Sequence, residues 1–253
     1  MTALITGASD GIGKAFAYEL AKKQYNLILI ARREELLSKI KSSLEKEYNI
    51  SVNYYSLDLT TQINEFCQII RDNKPDILIN SAGFGRPGLF VDLDFACHAE
   101  MLSVHIEAVV KSNYEALKYM REKKEGMIIN ISSLAGLILG KGYTMYGSTK
   151  HFIADFSQRL AFEARKDNVY IQALCPGFTY TGFHDTEYYP HFDRSKYPKF
   201  LWQSPESVTQ ESLKKYKTPL LIPRTLNRFI YILSQTLLFK YIIAKIMKSS
   251  KFV

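Results

Sequence analysis

Short apolar runs alternate with amphipathic stretches along the first 174 residues of the chain. The run 26–31 (Asn-Leu-Ile-Leu-Ile-Ala) is apolar on both faces, which is typical of a strand covered on both sides. The stretch 34–48 instead carries its apolar residues at helical spacing. We therefore predict strands at 2–6, 26–31, 52–57, 76–80, 126–132 and 169–174, separated by helices at 14–23, 34–48, 60–71, about 99–123 and 143–165.

This alternation predicts an α/β fold built on a doubly wound parallel sheet in a single domain. In such sheets, ligands bind beyond the carboxyl ends of the strands. Every motif described below directly follows a predicted strand. The sequence therefore predicts one ligand site along the carboxyl edge of the sheet.

The alternation breaks after strand six, where an aromatic and proline-rich insertion covers 183–201. We predict a substrate lid at about 183–215; the alternative is an ordinary packed surface loop. Two histidines, His184 and His191, lie near Asp185 in this segment, but their spacing matches no zinc pattern. We therefore predict no metal site.

The C-terminal segment 224–253 follows a predicted main domain of residues 1–223 and is expected to form an amphipathic basic helix. Apolar residues recur at helical spacing, and basic residues accompany them at Arg224, Arg228, Lys240, Lys245, Lys248 and Lys251. Basic and apolar residues on one helix suit a peripheral contact with a membrane surface. The alternative is a helix buried against the lid or a second subunit.

Composition narrows the class of protein. The chain has 253 residues, 47% of them hydrophobic, which suffices for one sizeable core. Its net charge is +8, but the basic residues are scattered before the C-terminal third, which argues against a nucleic-acid surface. Three cysteines, Cys67, Cys97 and Cys175, show no Cys-x-x-Cys spacing and indicate thiols of a reducing compartment. We predict a cytoplasmic protein, membrane-associated if the C-terminal helix meets lipid.

A glycine loop, Thr6-Gly-Ala-Ser-Asp-Gly-Ile-Gly13, joins the first strand to the first helix. Gly7 permits a tight turn, Gly11 allows the backbone to approach a diphosphate, and Gly13 allows close helix packing. The helix start supplies free amides and the positive end of a dipole. The loop therefore predicts a dinucleotide site that includes Ser9, Asp10 and Ile12.

Tyr146 and Lys150 lie four residues apart on a predicted helix, and Ser133 precedes the tyrosine by thirteen residues. Side chains at i and i+4 share a helix face, so we expect the ammonium to lower the pKa of the phenol. A serine hydroxyl can hold a carbonyl oxygen while the phenol donates its proton. These residues predict hydride exchange between a carbonyl and a nicotinamide. The alternative is an amphipathic helix that merely carries Tyr and Lys, and Ser132 is the alternative serine.

The glycine loop, Asn80-Ser-Ala-Gly83, Ser133, Tyr146 with Lys150, and Pro176-Gly177 occur in order. Together they resemble the short-chain dehydrogenase/reductase family. The C-terminal tail resembles the tails of its hydroxysteroid and long-chain ketoacyl reductases. The resemblance implies a Rossmann-like fold, a nicotinamide cofactor and a homodimer or homotetramer. It also implies that Asp58 binds adenine, that Asn80, Ala82 and Gly83 line the cofactor, that Lys150 binds the nicotinamide ribose and that Thr181 binds the carboxamide.

The end of the second strand predicts which nicotinamide cofactor is used. An acidic residue there would bind the ribose 2′-hydroxyl of NAD, whereas this chain has Arg32 and Arg33. A guanidinium matches a phosphate in charge and geometry, and Ser9 can add a hydroxyl donor. We therefore predict NADP rather than NAD, although Asp10 stands where many NADP-dependent relatives carry a second basic residue.

One position departs from the family pattern. His105 aligns with an asparagine that, in many relatives, holds a proton-relaying water beside the lysine. A histidine can hold the same water or relay protons itself, since it titrates near pH ~6.5. The alternative is a histidine that packs the helix.

The sequence thus predicts an NADPH-dependent reduction of a ketone or aldehyde on a lipophilic small molecule, or the reverse oxidation. The alternative is a cofactor-binding regulatory or scaffold protein without turnover.

Overall fold

The computed structural model of the protein describes residues 1–190 and 192–236. The described residues form one seven-stranded sheet in the order β3-β2-β1-β4-β5-β6-β7. The strands are β1 (Thr2–Thr6), β2 (Asn26–Ala31), β3 (Val52–Ser56), β4 (Ile77–Asn80), β5 (Gly126–Ile131), β6 (Val169–Leu174) and β7 (Leu220–Leu221). Every neighbouring pair is parallel. The predicted doubly wound parallel sheet is confirmed.

Helices cover both faces of the sheet. They are α1 (Gly11–Lys22), α2 (Glu34–Tyr48), α3 (Ile63–Asn73), α4 (Phe95–Leu102), α5 (Ala108–Lys123), α6 (Thr144–Ala164), α7 (Pro205–Lys214) and α8 (Thr225–Ser234). A π-helical turn, Ser103–Glu107, joins α4 to α5. The predicted helix 99–123 is therefore interrupted by this turn, which lies beside the site described below.

Side chains alternate between the two faces of the central strands, so one large apolar cluster lies on each face of the sheet. Ile5 and Leu29 face α1 and α2, whereas Leu4 and Ile28 face α3 and α5. Both sets are almost fully buried. Because each strand is covered on both sides, its sequence is an unbroken apolar run, which is why periodicity located the strands.

Helix α7 was not predicted. Its signals are local, because the Ser204 hydroxyl accepts the Ser207 amide at 3.1 Å and proline occupies the first helical position. Val208 belongs to the core cluster beneath α1, and Gln210 donates to Glu19 at 3.1 Å. Residues 205–214 are thus packed on the body of the domain although they fall within the predicted lid range.

The predicted C-terminal helix is described only in part. Helix α8 covers Thr225–Ser234, and residues 237–253, which carry four of the six predicted basic positions, lie outside the described residues. Within the described residues, no helix is long and apolar enough to cross a bilayer.

Candidate active site

The glycine loop is packed tightly against the carboxyl ends of β1 and β4. Gly7 and Gly11 have φ angles of +65° and +54°, which favour glycine. A Cβ on Gly7 would lie 2.9 Å from the Ala82 amide nitrogen, and one on Gly13 would lie 2.4 Å from the Gly7 carbonyl oxygen. Any side chain at these positions would displace backbone, so the three glycines are required by the shape of the loop.

The loop fits the diphosphate of a dinucleotide. Helix α1 begins at Gly11, three residues earlier than predicted. Among the described residues, the amides of Gly11, Ile12 and Gly13 have no protein acceptor. Free amides at a helix start form an anion site, which supports the predicted role of the loop.

Two arginines follow β2, and only one of them is held by the loop. The Arg33 guanidinium donates to Ser9 Oγ at 3.0 Å, while the exposed Arg32 side chain makes no hydrogen bond within the described part of the chain. Asp10 points elsewhere, because its Oδ2 accepts the Gly182 amide at 2.9 Å. Asp10 therefore joins the glycine loop to the loop after β6, and its carboxylate does not bind Arg33.

The loop after β3 places Asp58 at the carboxyl edge of the sheet. Its Oδ1 accepts both the amide and the hydroxyl of Thr60, at 2.9 and 2.8 Å, while its own amide donates to Gln62. These bonds fix the carboxylate and leave Oδ2 free to accept from an amino group.

A buried amide network lies behind the site. The Asn130 side chain accepts from Asn80 Nδ2 at 2.8 Å and from Asn113 Nδ2 at 3.0 Å. It donates to Asn113 Oδ1 at 3.1 Å and to Ser157 Oγ at 2.9 Å. The network ties β4 and β5 to α5 and α6. The Asn80 side chain therefore bonds to neighbouring elements of the fold. Asn113 and Asn130 were not among the predicted site residues.

The amides after β4 are held by a single hydroxyl. Thr6 Oγ1 accepts from the amides of Ser81 and Ala82, both at 3.0 Å. A Cβ on Gly83 would lie 3.2 Å from Lys150 Nζ, so only glycine fits easily there. This turn brings Gly83 beside the side chains of His105 and Lys150.

The Ser133 hydroxyl lies close enough to the Tyr146 phenol to lower its pKa. The Ser133 hydroxyl also accepts the Ala135 amide at 3.1 Å, which fixes its orientation at the end of β5. Ser132, the alternative serine, is buried and donates to the Lys150 carbonyl oxygen at 2.6 Å. The geometry therefore favours Ser133 as the serine available to a substrate.

Burial dominates the ionisation of the tyrosine and the lysine. Burial raises the pKa of Tyr146 to about 12, although the nearby Ser133 hydroxyl acts to lower it. Burial lowers the pKa of Lys150 to about 8. Lys150 Nζ donates to the Ile131 carbonyl at 2.9 Å and lies 5.8 Å from the centre of the Tyr146 ring. The expected lowering of the phenol pKa by the ammonium is wrong for this structure, because at this separation it does not offset desolvation.

His105 lies in the π-helical turn and is fully buried. Its Nε2 accepts the Phe84 amide at 3.2 Å, so Nδ1 carries the proton and donates to Thr149 Oγ1 at 2.9 Å. Thr149 in turn donates to the Tyr146 carbonyl at 3.0 Å. Both ring nitrogens are engaged, which favours the packing role over the relay role. The histidine connects the loop after β4 to the helix that carries Tyr146.

Acidification is expected to destabilise the protein through His105. Burial, aided by the Lys150 ammonium, holds the pKa of His105 well below 6.5. The unfolded chain therefore binds an extra proton as the pH falls below about 6.5, so stability is lost in that direction. Between pH 7.5 and pH 5.5 the loss from this group is about 1.4 kcal/mol.

Urea unfolding at the two pH values measures this loss. His105→Asn should remove the His105 share of it, whereas His151→Asn, at an exposed histidine, should leave the pH dependence of the parent intact. An equal pH dependence in His105→Asn and parent would mean that the histidine is protonated in the folded state.

The loop after β6 completes the carboxyl edge. The Pro176 carbonyl accepts the Leu134 amide at 2.9 Å, and a Cβ on Gly177 would lie 2.9 Å from the Asn227 side chain. The Thr181 side chain packs on Gly11, whose added Cβ would lie 2.8 Å from it. The structure thus brings Thr181 to the glycine loop on the side where a cofactor would lie.

The aromatic insertion forms a closed cluster over Tyr146. The rings of Phe183 and Tyr146 are 5.6 Å apart, and His184 stacks on Phe192 at 4.0 Å. Arg194 fixes the segment by donating to the Thr181 carbonyl at 2.6 Å and to Asp185 at 2.7 Å. Asp185 is thus paired with an arginine, and His191 lies outside the described residues.

The chain is similar in sequence to proteins of known function. The family model described as short chain dehydrogenase matches residues 1–188. The chain is 31% identical over 178 residues to a very-long-chain 3-oxoacyl-CoA reductase of Laccaria bicolor, covering 68% of this chain and 53% of that protein. It is 35% identical over 181 residues to human 17-beta-hydroxysteroid dehydrogenase type 3, covering 69% of this chain and 57% of that protein. The match thus spans about half the length of these relatives.

Two solved structures resemble the whole fold. A short-chain dehydrogenase from Sphingobium yanoikuyae in complex with NADPH is 25% identical, with a TM-score of 0.80 over 91% of each chain. A bulky-bulky ketone specific alcohol dehydrogenase from Comamonas testosteroni is 25% identical, with a TM-score of 0.79 over 100% of this chain and 94% of that chain.

Proposed function

The chain belongs to the short chain dehydrogenase family, and we propose that it catalyses the NADPH-dependent reduction of a lipophilic ketone. The observation that carries this proposal is the Ser133 hydroxyl beside the Tyr146 phenol, with the buried Lys150 side chain on the same helix as the tyrosine. The relatives named above are reductases and dehydrogenases of acyl and steroid substrates, which supports a lipophilic substrate.

The proposed chemistry is divided between three side chains. NADPH, when bound, supplies the hydride that adds to the carbonyl carbon. The Ser133 hydroxyl donates a hydrogen bond to the carbonyl oxygen, and the phenol of Tyr146 gives up its proton to that oxygen as negative charge develops. The Lys150 ammonium stabilises the resulting phenolate electrostatically. Alcohol oxidation uses the same residues in reverse.

The cofactor residues fit NADP. The free amides of the glycine loop would hold the diphosphate, and Arg33, held by Ser9, would bind the 2′-phosphate. Asp58 would accept from the adenine amino group, Lys150 would bind the nicotinamide ribose, and Thr181 would bind the carboxamide. The Asp10 carboxylate is directed to the Gly182 amide, away from Arg33, which supports a phosphate beside Arg33.

Arg33→Ala is expected to weaken NADPH binding by about tenfold or more, because a charge-assisted hydrogen bond to phosphate is worth about 1.5–3 kcal/mol. Binding of NADH, which lacks the phosphate, should change less than twofold. Nicotinamide fluorescence titration measures both constants. Arg32→Ala is the matched control, since that side chain is not held by the loop. An equal loss of NADPH and NADH affinity, or a larger loss in Arg32→Ala, would contradict the assignment.

We propose that the aromatic segment 183–201 is the lid over the substrate. The contact between Phe183 and Tyr146 supports this role. Helix α7, within the originally predicted lid range, belongs instead to the body because it packs on α1.

We also propose contacts of the protein with further copies of itself and with a membrane surface. Helices α5 and α6 expose Tyr114 and Phe162, by 63% and 79%, which supports a homodimer or homotetramer formed through this face. Helix α8 exposes Phe229 and Ile232, by 61% and 64%, which supports a peripheral membrane contact. Arg228 is paired with Glu211, so this contact would depend on the apolar residues more than on that charge.

NADPH oxidation tests the proposed function directly. The protein is offered 3-oxoacyl esters, steroid ketones and simple alkyl ketones with NADPH, and absorbance at the nicotinamide band is followed. Oxidation that yields the corresponding alcohol is the expected result. Tight NADPH binding without turnover of any ketone would instead favour a regulatory protein that retains the fold.

A further inference from the structure

Tyr189 is a buried tyrosine of the aromatic insertion, outside the proposed Ser133, Tyr146 and Lys150 machinery. It is only 6% exposed. Its ring packs against Phe183 at 5.6 Å and edge-on against His184 at 5.1 Å. Its backbone is held in a turn, since its amide donates to the Thr186 carbonyl at 3.0 Å. The ring is therefore fixed on several sides.

The hydroxyl of Tyr189 lies against the loop after β4. A Cβ added to Gly85 would lie 2.2 Å from Tyr189 Oη, so the hydroxyl occupies the space that a side chain at Gly85 would need. Within the described ranges 1–190 and 192–236, this hydroxyl has no hydrogen-bond partner. A tyrosine hydroxyl both donates and accepts hydrogen bonds, so it can bind a polar group of a ligand that enters beside Gly85.

The hydroxyl lies close to the reacting groups. The Phe183 ring is 5.6 Å from both the Tyr146 ring and the Tyr189 ring, so the two tyrosines flank it. Gly85 is two residues beyond Gly83, which contacts Lys150. Burial raises the pKa of Tyr189, and the nearby phenols of Tyr146 and Tyr143 raise it further. Tyr189 is therefore a neutral hydrogen-bond donor at the edge of the proposed carbonyl site.

We propose that Tyr189 is a specificity-determining residue, whose hydroxyl donates a hydrogen bond to a second oxygen of the substrate. The inference rests on the proposed ketone reductase function. The substrate is then a ketone with an acceptor oxygen a few bonds from the reacting carbonyl, as in a 3-oxoacyl ester or thioester. An isolated ketone, such as the ring ketone of a steroid, offers no such oxygen and leaves the hydroxyl unpaired.

This arrangement explains how one site could separate the two substrate classes named for its relatives. A site with a buried polar group discriminates strongly against a ligand that leaves that group unpaired, whereas apolar walls discriminate weakly. The aromatic walls accept either an acyl chain or a ring system. The Tyr189 hydroxyl is the group that favours the 3-oxoacyl substrate.

The test compares Tyr189→Phe with the parent on two matched ketones. One is ethyl 3-oxohexanoate, and the other is an alkyl ketone of the same length without the ester carbonyl. The variant keeps the ring and its packing while removing only the hydroxyl. We expect kcat/KM for the oxo ester to fall about tenfold, and kcat/KM for the alkyl ketone to change less than twofold. Tyr143 is a nearby, partly buried tyrosine. Its variant Tyr143→Phe is the control and should change kcat/KM for neither ketone.

A second measurement separates this inference from the proposed function, because it needs no turnover. Ethyl 3-hydroxyhexanoate, which cannot react with NADPH, is added to the NADPH-bound parent and to the NADPH-bound Tyr189→Phe variant. Nicotinamide fluorescence then measures its affinity for each dead-end complex. A tenfold loss of affinity in the variant supports the second-oxygen contact even if neither ketone is reduced. The inference would be overturned if Tyr189→Phe lost kcat/KM equally for both ketones or lost none for the oxo ester. An unchanged affinity of the dead-end complex in the variant would overturn it as well.

Discussion

Replacing Tyr146 with phenylalanine is expected to lower kcat for ketone reduction by about 10³-fold, the range that a positioned general acid supplies. The ring, and its contact with Phe183, remains in the variant, and only the proton donor is lost. The affinity for NADPH should be unchanged within about twofold, since the adenine and diphosphate contacts do not involve the phenol. Single-turnover NADPH oxidation, with the dissociation constant measured in parallel, separates the two effects.

Tyr143→Phe is the matched control for this experiment. Tyr143 directly precedes α6, is partly buried and raises the pKa of Tyr146, yet its hydroxyl has no hydrogen-bond partner within the described residues. Its loss should change kcat less than twofold. A variant Tyr146→Phe that retained a tenth of the parent rate, or a control that lost as much, would assign the proton to another group.

The ionisation of this pair shows what spacing alone can establish. The i, i+4 spacing correctly predicted that Tyr146 and Lys150 share a helix, but the sign of the pKa shift of the phenol was wrong. Spacing gives proximity, whereas desolvation depends on the lid and the loops that cover the phenol, and these come from distant parts of the chain. With a pKa of about 12, Tyr146 is protonated at neutral pH, which suits a proton donor in reduction.

Most of the fold was predictable because the strands are buried on both faces. Their apolar runs need no tertiary information to be recognised, and their order along the chain fixes the crossovers. The start of the first helix differs: α1 begins at Gly11, directly after the glycine turn. Helix α7 was missed altogether, although Ser204 precedes its first residue, Pro205. The π-helical turn at Ser103–Glu107 could not be predicted, because its residues have ordinary helical character.

The candidate site was predictable where one motif forms one feature and not where distant segments meet. Asp10 and Gly182 are separated by 172 positions, yet their hydrogen bond joins the two sides of the cofactor cleft. Tyr189 could be assigned to an aromatic insertion but not to a contact with Gly85. Asn130 gave a local signal, a polar residue inside an apolar strand, but its partners lie on three other elements.

Replacing Asn130 with leucine is expected to reduce the free energy of unfolding by about 4 kcal/mol, since a buried polar group left unpaired costs about 1–3 kcal/mol. Leucine has the same branch point and the same number of side-chain heavy atoms, so the substitution removes the network without leaving a cavity. It removes four hydrogen bonds and leaves Asn80 Nδ2, Asn113 Oδ1 and the Ser157 hydroxyl without these partners, while Asn113 Nδ2 keeps its bond to the Val109 carbonyl. Such a loss is a large share of the stability of a typical domain.

Urea unfolding of parent and variant measures this loss, with Asn53→Leu as the matched control on the exposed face of β3. The control should change the free energy of unfolding by less than about 0.5 kcal/mol, as exposed substitutions usually do. Ser157→Ala, which removes one bond of the network, should cost about 1 kcal/mol and keeps the test readable if Asn130→Leu does not fold. A loss in Asn130→Leu no larger than in Ser157→Ala would mean that the amides are satisfied in another way. In that case the strict geometry of β4 and β5, which brings Gly83 and Ser133 to the ends of neighbouring strands, would need a different explanation.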